Sequence, residues 1–214
     1  AFTRSTKFLY YNVRHMADIV GLSKQDINGL FDAMGEELTT HSSEITFVQL
    51  RLSAERFVVP LCGLAAERIL NILKPNQYHV HFEKRLRHFK QGPIDLILIP
   101  ITKDGKEDWN TPCCFEFKMV WSKGIKDNVR GIKNDIEKMG GYYRGYVVAV
   151  LFSFNGGPAW APYAHKGDME WLVKEVVAEI GKPVYQGKEY RIAGREVEGK
   201  LKLIAWAAGI RDSG

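Results

Sequence analysis

The repeat of apolar positions along this chain changes at residue 78. Before it, apolar residues recur at helical spacing over 6–20, 24–38 and 43–59, and again in LCGLAAERILNIL up to Lys74-Pro75. Gly21 and Ser23 separate the first two segments, and Ser23 is placed to cap the second, with Asp26 three residues on to complete a capping box. Pro60 either interrupts the third helix or opens a new one in its first turn. After it, YHVHFEKRLRHF (78–89) alternates like a half-buried strand, and IDLILIPI (94–101) is a nearly unbroken apolar run, as in a strand covered on both faces. A polar loop built on Asp104-Gly105 leads to CCFEFKMVW (113–121), so 94–121 reads as a hairpin with a long tip.

The helical period returns with Ile125, Val129, Ile132, Ile136 and Met139, and Gly140-Gly141 ends it. A buried strand over 143–154, an amphipathic helix over 168–180 and two strands near 183–192 and 199–206 complete the chain. The order helix, strand, strand, strand, helix, strand predicts an α/β fold with a mixed central sheet and flanking helices. The expected organisation is a helical N-terminal extension (1–45), a core (46–154) and an α/β C-terminal extension (155–214) packed on that core.

Composition narrows the class. The longest apolar runs are too short to span a bilayer, and the N-terminal segment lacks the apolar stretch of a secretory signal. Three cysteines, Cys62, Cys113 and Cys114, match neither a zinc spacing nor a disulfide framework, so the expected setting is a reducing one, the cytoplasm. A net charge of +5 permits a polyanionic partner without demonstrating one.

The chemistry lies in the apolar hairpin. Asp95 opens its first strand; Glu116 and Lys118, one residue apart, share a face of the second. Charges placed in apolar strands cost several kcal/mol, roughly, unless they are paired or bind a cation. Two adjacent carboxylates repel unless one takes a proton or a cation lies between them. An all-oxygen, partly hydrated site suits Mg²⁺, with Mn²⁺ as a substitute. A neighbouring lysine would orient or deprotonate water, or stabilise charge developing on a phosphate. These parts fit phosphodiester hydrolysis.

At these residues the chain resembles the PD-(D/E)XK nuclease superfamily, the restriction endonuclease-like fold. Pro93-Ile94-Asp95 stands for the PD half with one residue inserted, and Glu116-Phe117-Lys118 matches the (D/E)XK half. The likeness covers about 55–154 and implies an αβββαβ core. It implies Asp95 and Glu116 as metal ligands together with the backbone carbonyl of Phe117, and Lys118 as the catalytic lysine. The family often adds a glutamate from the helix before the sheet. Glu67 and Glu55 both qualify, but 12 residues of straight helix separate them by about 18 Å. Glu67 is preferred because it lies in the last continuous helix before the strands; Glu83 is a third candidate. The implied activity is Mg²⁺-dependent DNA cleavage by a restriction-type or a defence, repair or mobile-element endonuclease, with RNA left open as substrate. A homodimer with one site per subunit is the arrangement that would cut both strands. The alternative is a non-catalytic nucleic-acid-binding or assembly module on the same fold.

Weaker signals surround this motif. From Lys118 to Arg144 seven Lys or Arg face three acids. These seven, among them Lys123, Lys126, Arg130, Lys133 and Lys138, with Lys84, Arg85, Arg87 and Lys90, would make a cationic wall for phosphates, and Lys133 could also assist the site from its helix. Residues 17–27 have the spacing of a helix-turn-helix, but Asp26, Asp32, Glu36 and Glu37 on the second helix oppose docking on DNA. His79 and His81 share a strand face, yet no third zinc ligand has a convincing spacing. Trp109, Trp121 and Trp160 read as core or loop anchors that could also stack on bases.

Overall fold

The computed structural model describes residues 21–51, 54–86, 92–139, 144–156 and 168–209. The helix expected over 6–20, Arg87, Lys90, Gly140-Gly141 and Trp160 lie outside the described residues.

Three helices come first: α1 (Lys24–Thr40), α2 (Ser42–Arg51) and α3 (Glu55–Leu73). Ser23 caps α1, and the capping box with Asp26 closes in both directions. The single stretch expected over 43–59 is two helices, because α3 already begins at Glu55 and runs through Pro60. Pro60 lies in the second turn and leaves one carbonyl of the first turn without its helical partner.

Strands β1 (Tyr78–Lys84), β2 (Ile94–Pro100) and β3 (Cys113–Val120) form an antiparallel meander. Helix α4 (Ile125–Met139) then crosses to β4 (Arg144–Phe154), which pairs parallel to β3. A crossover helix is what a parallel pair requires. Helix α5 (Met169–Ile180) leads to the short β5 (Tyr185–Gln186) and β6 (Tyr190–Ala193), and to β7 (Glu198–Ala208). The sheet order is β1-β2-β3-β4-β7-β5, with β6 also on β7. The C-terminal segment therefore contributes strands to the sheet itself, since β7 is registered along β4 from Gly145↔Ala208 to Phe154↔Gly199.

The result is an α/β fold with a mixed seven-stranded sheet between two helical layers. One core lies between the sheet and α1–α3 and includes Phe31, Phe115, Phe117, Val148 and Leu203. The other lies beneath α4 and α5 and includes Ile97, Cys114, Ile132, Val147 and Leu172. Period-2 alternation divides β3 and β4 cleanly between the two. Close approach explains one glycine in the middle of a helix: a Cβ on Gly63 would lie 2.1 Å from the ring of Phe82, so α3 rests directly on β1 there. The acids of α1 are spent inside the molecule. Asp32 accepts from the Tyr185 hydroxyl at 2.6 Å, Glu36 pairs with Lys188 and Glu37 with Arg68. No helix among the described residues is long and apolar enough to cross a membrane.

Candidate active site

The face of β3 toward α4 carries Cys114, Glu116, Lys118 and Val120 in succession, so two charges interrupt an otherwise apolar row. On the β4 side, Val147 and Ala149 stand opposite them and offer no polar partner. On the β2 side, the ladder runs Leu98↔Cys113, Ile97↔Cys114, Leu96↔Phe115. One step further the same register sets Asp95 opposite Glu116. There the side chain replaces the ladder: Asp95 Oδ2 accepts from the Phe117 N–H at 2.7 Å. The β1 side is irregular at the same level. Glu83, which the β1–β2 register sets opposite Asp95, has φ of 45°, a backbone state that side chains other than glycine seldom adopt.

Helix α4 forms the opposite wall. Asn128, Gly131, Asp135 and Lys138 are spaced along one stripe of it. Lys138 Nζ donates to Glu116 Oε1 at 2.6 Å, and Lys118 Nζ lies 3.1 Å from Asp135 Oδ2. The Lys118–Asp135 contact is an ion pair rather than a well-aligned hydrogen bond. The stem of Lys118 passes Gly131, where a Cβ would be in ordinary contact at 3.5 Å. From sequence, Lys138 and Asp135 count only in the charge balance of this helix and are not placed in the cluster. The available signal was Asp135 itself, three residues after Ile132 and four before Met139, a charge on the apolar stripe of an amphipathic helix.

The acid that reaches the cluster from the preceding helix is Glu55, in place of Glu67. Glu55, the first residue of α3, interacts electrostatically with Lys118, Asp95 and Asp135. Glu67 lies three turns further along the same helix, exposed, and lines a hollow with Asn71, Tyr78 and His79 at the other end of β1. The physical reason is the unbroken path of α3 through Pro60, which keeps the two acids about 18 Å apart. Glu83 is exposed. A second hollow is lined by Thr46, Phe47, Phe57 and Arg195 and includes none of the cluster's residues.

Four carboxyls, Glu55, Asp95, Glu116 and Asp135, thus meet two ammoniums, Lys118 and Lys138. Fully ionised, the group carries an excess of two negative charges. Burial and then the neighbouring Asp95 push the Glu116 carboxyl up to about 8, against the pull of Lys138. Burial also raises Asp95, although the Phe117 N–H and a hydrogen bond with Glu116 oppose it. The pair therefore keeps a proton to higher pH than either carboxyl would in water. Glu55 is raised by burial as well. Burial pulls on Lys118 in the opposite sense, but Asp135, Glu55 and Asp95 outweigh it, and its pKa is raised overall.

The proposed cationic wall is more heavily paired than its sequence suggests. Arg130 bonds Asp127 at 2.7 Å and Lys133 bonds Glu179 on α5 at 2.9 Å, turned away from the cluster, while Lys123 and Lys126 are exposed. All three cysteines are buried and free, with Cys113 and Cys114 in opposite cores.

No protein-family model matches the chain, and no curated protein or solved structure matches it either.

Proposed function

We propose that this protein is a divalent-metal-dependent nuclease that hydrolyses DNA phosphodiester bonds at the Asp95–Glu116–Lys118 cluster. The observation that carries the reading is the convergence of Asp95, Glu116 and Glu55 where β2 and β3 part, with their carboxyls raised by burial and, at Glu116, by the neighbouring Asp95. A buried group with two excess negative charges is matched by one divalent cation. The αβββαβ order of α3 through β4 suits the restriction endonuclease-like arrangement implied by the motif.

Asp95, Glu116 and Glu55 would hold Mg²⁺ or Mn²⁺. Phe117 would add its carbonyl, which lies on the same strand edge as the N–H bonded to Asp95. A cation in such a site lowers the pKa of water and polarises the phosphate. The protein's own contribution follows from its pairings. Asp135 keeps Lys118 as an ammonium, so at neutral pH Lys118 stabilises negative charge on the phosphate instead of taking a proton from water. Lys138 fixes one oxygen of Glu116 and so orients the other.

A second reading has one observation in its favour. Glu116 with Lys138 and Lys118 with Asp135 are already ion pairs, which suits a structural network in a non-catalytic nucleic-acid-binding module. Plasmid and single-stranded DNA incubated with Mg²⁺, Mn²⁺ or EDTA decide between them. Cleavage that needs the cation and disappears in Asp95→Asn supports the nuclease. DNA retention without cleavage under either metal supports the binding module.

A further inference from the structure

The other end of the hairpin gathers a different set of ligands. His79 and His81 alternate with Val80 on the edge strand β1, so both rings stand on one face, with centroids 6.4 Å apart. The tip of the β2–β3 connection folds back over them. Ile101 bridges to Glu107, and the Asp108 N–H donates to the Pro100 carbonyl at 2.8 Å. That return sets Glu107 Oε1 2.8 Å from His79 Nδ1 and 2.7 Å from His81 Nε2. Trp109 Nε1 donates to the other oxygen, Oε2, at 2.9 Å. One ligand atom from each of the three residues lies within 4.8 Å of the others.

We infer that His79, His81 and Glu107 form a second metal site, for a borderline first-row cation of the zinc class. Two imidazole nitrogens and one carboxylate oxygen favour Zn²⁺, Co²⁺ or Ni²⁺ over Mg²⁺. The carboxylate is already aimed: Trp109 holds Oε2 and leaves Oε1 to the two rings, as an outer hydrogen bond does around a bound metal. Zinc bonds of about 2.0–2.2 Å set tetrahedral donors roughly 3.3 Å apart, so Glu107 Oε1 would draw back by about half an ångström from the two ring nitrogens to admit the ion. His79 is 55% exposed, so the remaining positions of the ion face solvent, the pattern of an open site and not of a closed structural one. The cation would also pin the tip onto the outer strand and cover part of a sheet edge.

This site shares no residue with the Asp95 cluster, although both lie on one face of the sheet: His81 pairs with Ile97, two residues or about 7 Å along β2 from Asp95, and His79 with Ile99, about 13 Å along it. The plainer reading is a metal-free latch in which the histidines only hydrogen-bond Glu107.

Calorimetric titration of the chelator-treated full chain with ZnCl₂, in excess Mg²⁺, separates the two. The site predicts one zinc per chain at micromolar or tighter affinity, and visible absorption bands of low-coordinate Co²⁺ when cobalt replaces it. His81→Ala and Glu107→Gln should each weaken zinc binding by at least about tenfold, with circular dichroism confirming the fold, while Asp95→Asn leaves it unchanged. His79→Gln, at the most exposed of the three positions, is the variant to use if His81→Ala does not fold. Equal zinc binding by wild type and the folded variants, or no binding below millimolar zinc, overturns the site.

Discussion

The two ends of strand β2 treat the same kind of side chain in opposite ways. Glu116, beside Asp95 at one end, is buried among apolar residues, and burial raises its carboxyl to about 8. Glu107, at the other end, stands at the rim of the sheet, and hydrogen bonds led by His79 hold its carboxyl below the usual range. The difference lies in what replaces water. At the rim, imidazole and indole donors restore the hydrogen bonds that solvent would make. In the interior, the ammonium of Lys138 on α4 restores only part of them, and neighbouring acids oppose the charge. The inner cluster thus keeps opposing charges that a hard cation would offset on the reading proposed above, whereas Glu107 is hydrogen-bonded through both of its oxygens.

The sharpest way to break the contrast is to neutralise the inner acids. Asp95→Asn and Glu116→Gln should each reduce Mg²⁺-dependent plasmid cleavage by on the order of a thousandfold, the equivalent of several kcal/mol of transition-state stabilisation. Gel assays of initial rates measure this, and undiminished cleavage by either variant would remove the site from consideration.

A smaller effect falls on stability. Lys138→Met strips Glu116 of its cation; because Glu116 can then take up a proton, the cost in urea unfolding at pH 8 should be only about 1 kcal/mol, growing at higher pH where Glu116 of the wild type is ionised. The loss should shrink near pH 5, where Glu116 keeps its proton. An equal loss at both pH values would mean that Lys138 contributes by packing alone.

The wild-type protein should show the same logic without mutation. Glu116 has a folded pKa above its unfolded value, so its contribution to stability is complete below about pH 4.5 and is lost as pH rises through about 8. Melting temperature should therefore fall across that window, and Glu116→Gln should flatten the slope. Added Mg²⁺ should raise the melting temperature more at pH 8.5 than at pH 5.5, because the cation competes with protons. A Mg²⁺ effect independent of pH would argue for binding elsewhere.

The weakest effects belong to the surface. Lys126→Ala should lower DNA affinity modestly and reduce the salt dependence by about one unit of slope. Lys133→Ala, which breaks an exposed pair with Glu179, should leave the urea midpoint essentially unchanged. Identical salt slopes for wild type and Lys126→Ala would place the DNA path away from α4.

Much of this was legible in the chain. The switch from helical to alternating period located the sheet. The apolar runs around Asp95, Glu116 and Lys118 marked these charges as out of place, but the register that sets Asp95 opposite Glu116 came only with the paired strands. Glu55 and Glu67 were both visible as acids on a helix before the sheet, but choosing between them required knowing where α3 begins and that Pro60 does not end it. Lys138 lies 22 residues from Glu116, and no local period links a helix residue to a strand residue across a turn. Glu107 reads as one acid in a polar loop; only the folding back of the hairpin tip brings it to His79, 28 residues away.

By itself, then, the sequence determined which residues face inward, because side-chain direction follows the local period of helix and strand and needs no knowledge of neighbours. Tertiary structure alone decided which inward charges are partners, which glutamate joins them, and that the C-terminal strands belong to the same sheet. Those outcomes depend on strand order and helix placement, which are set by burial summed over the whole chain and not by any one segment.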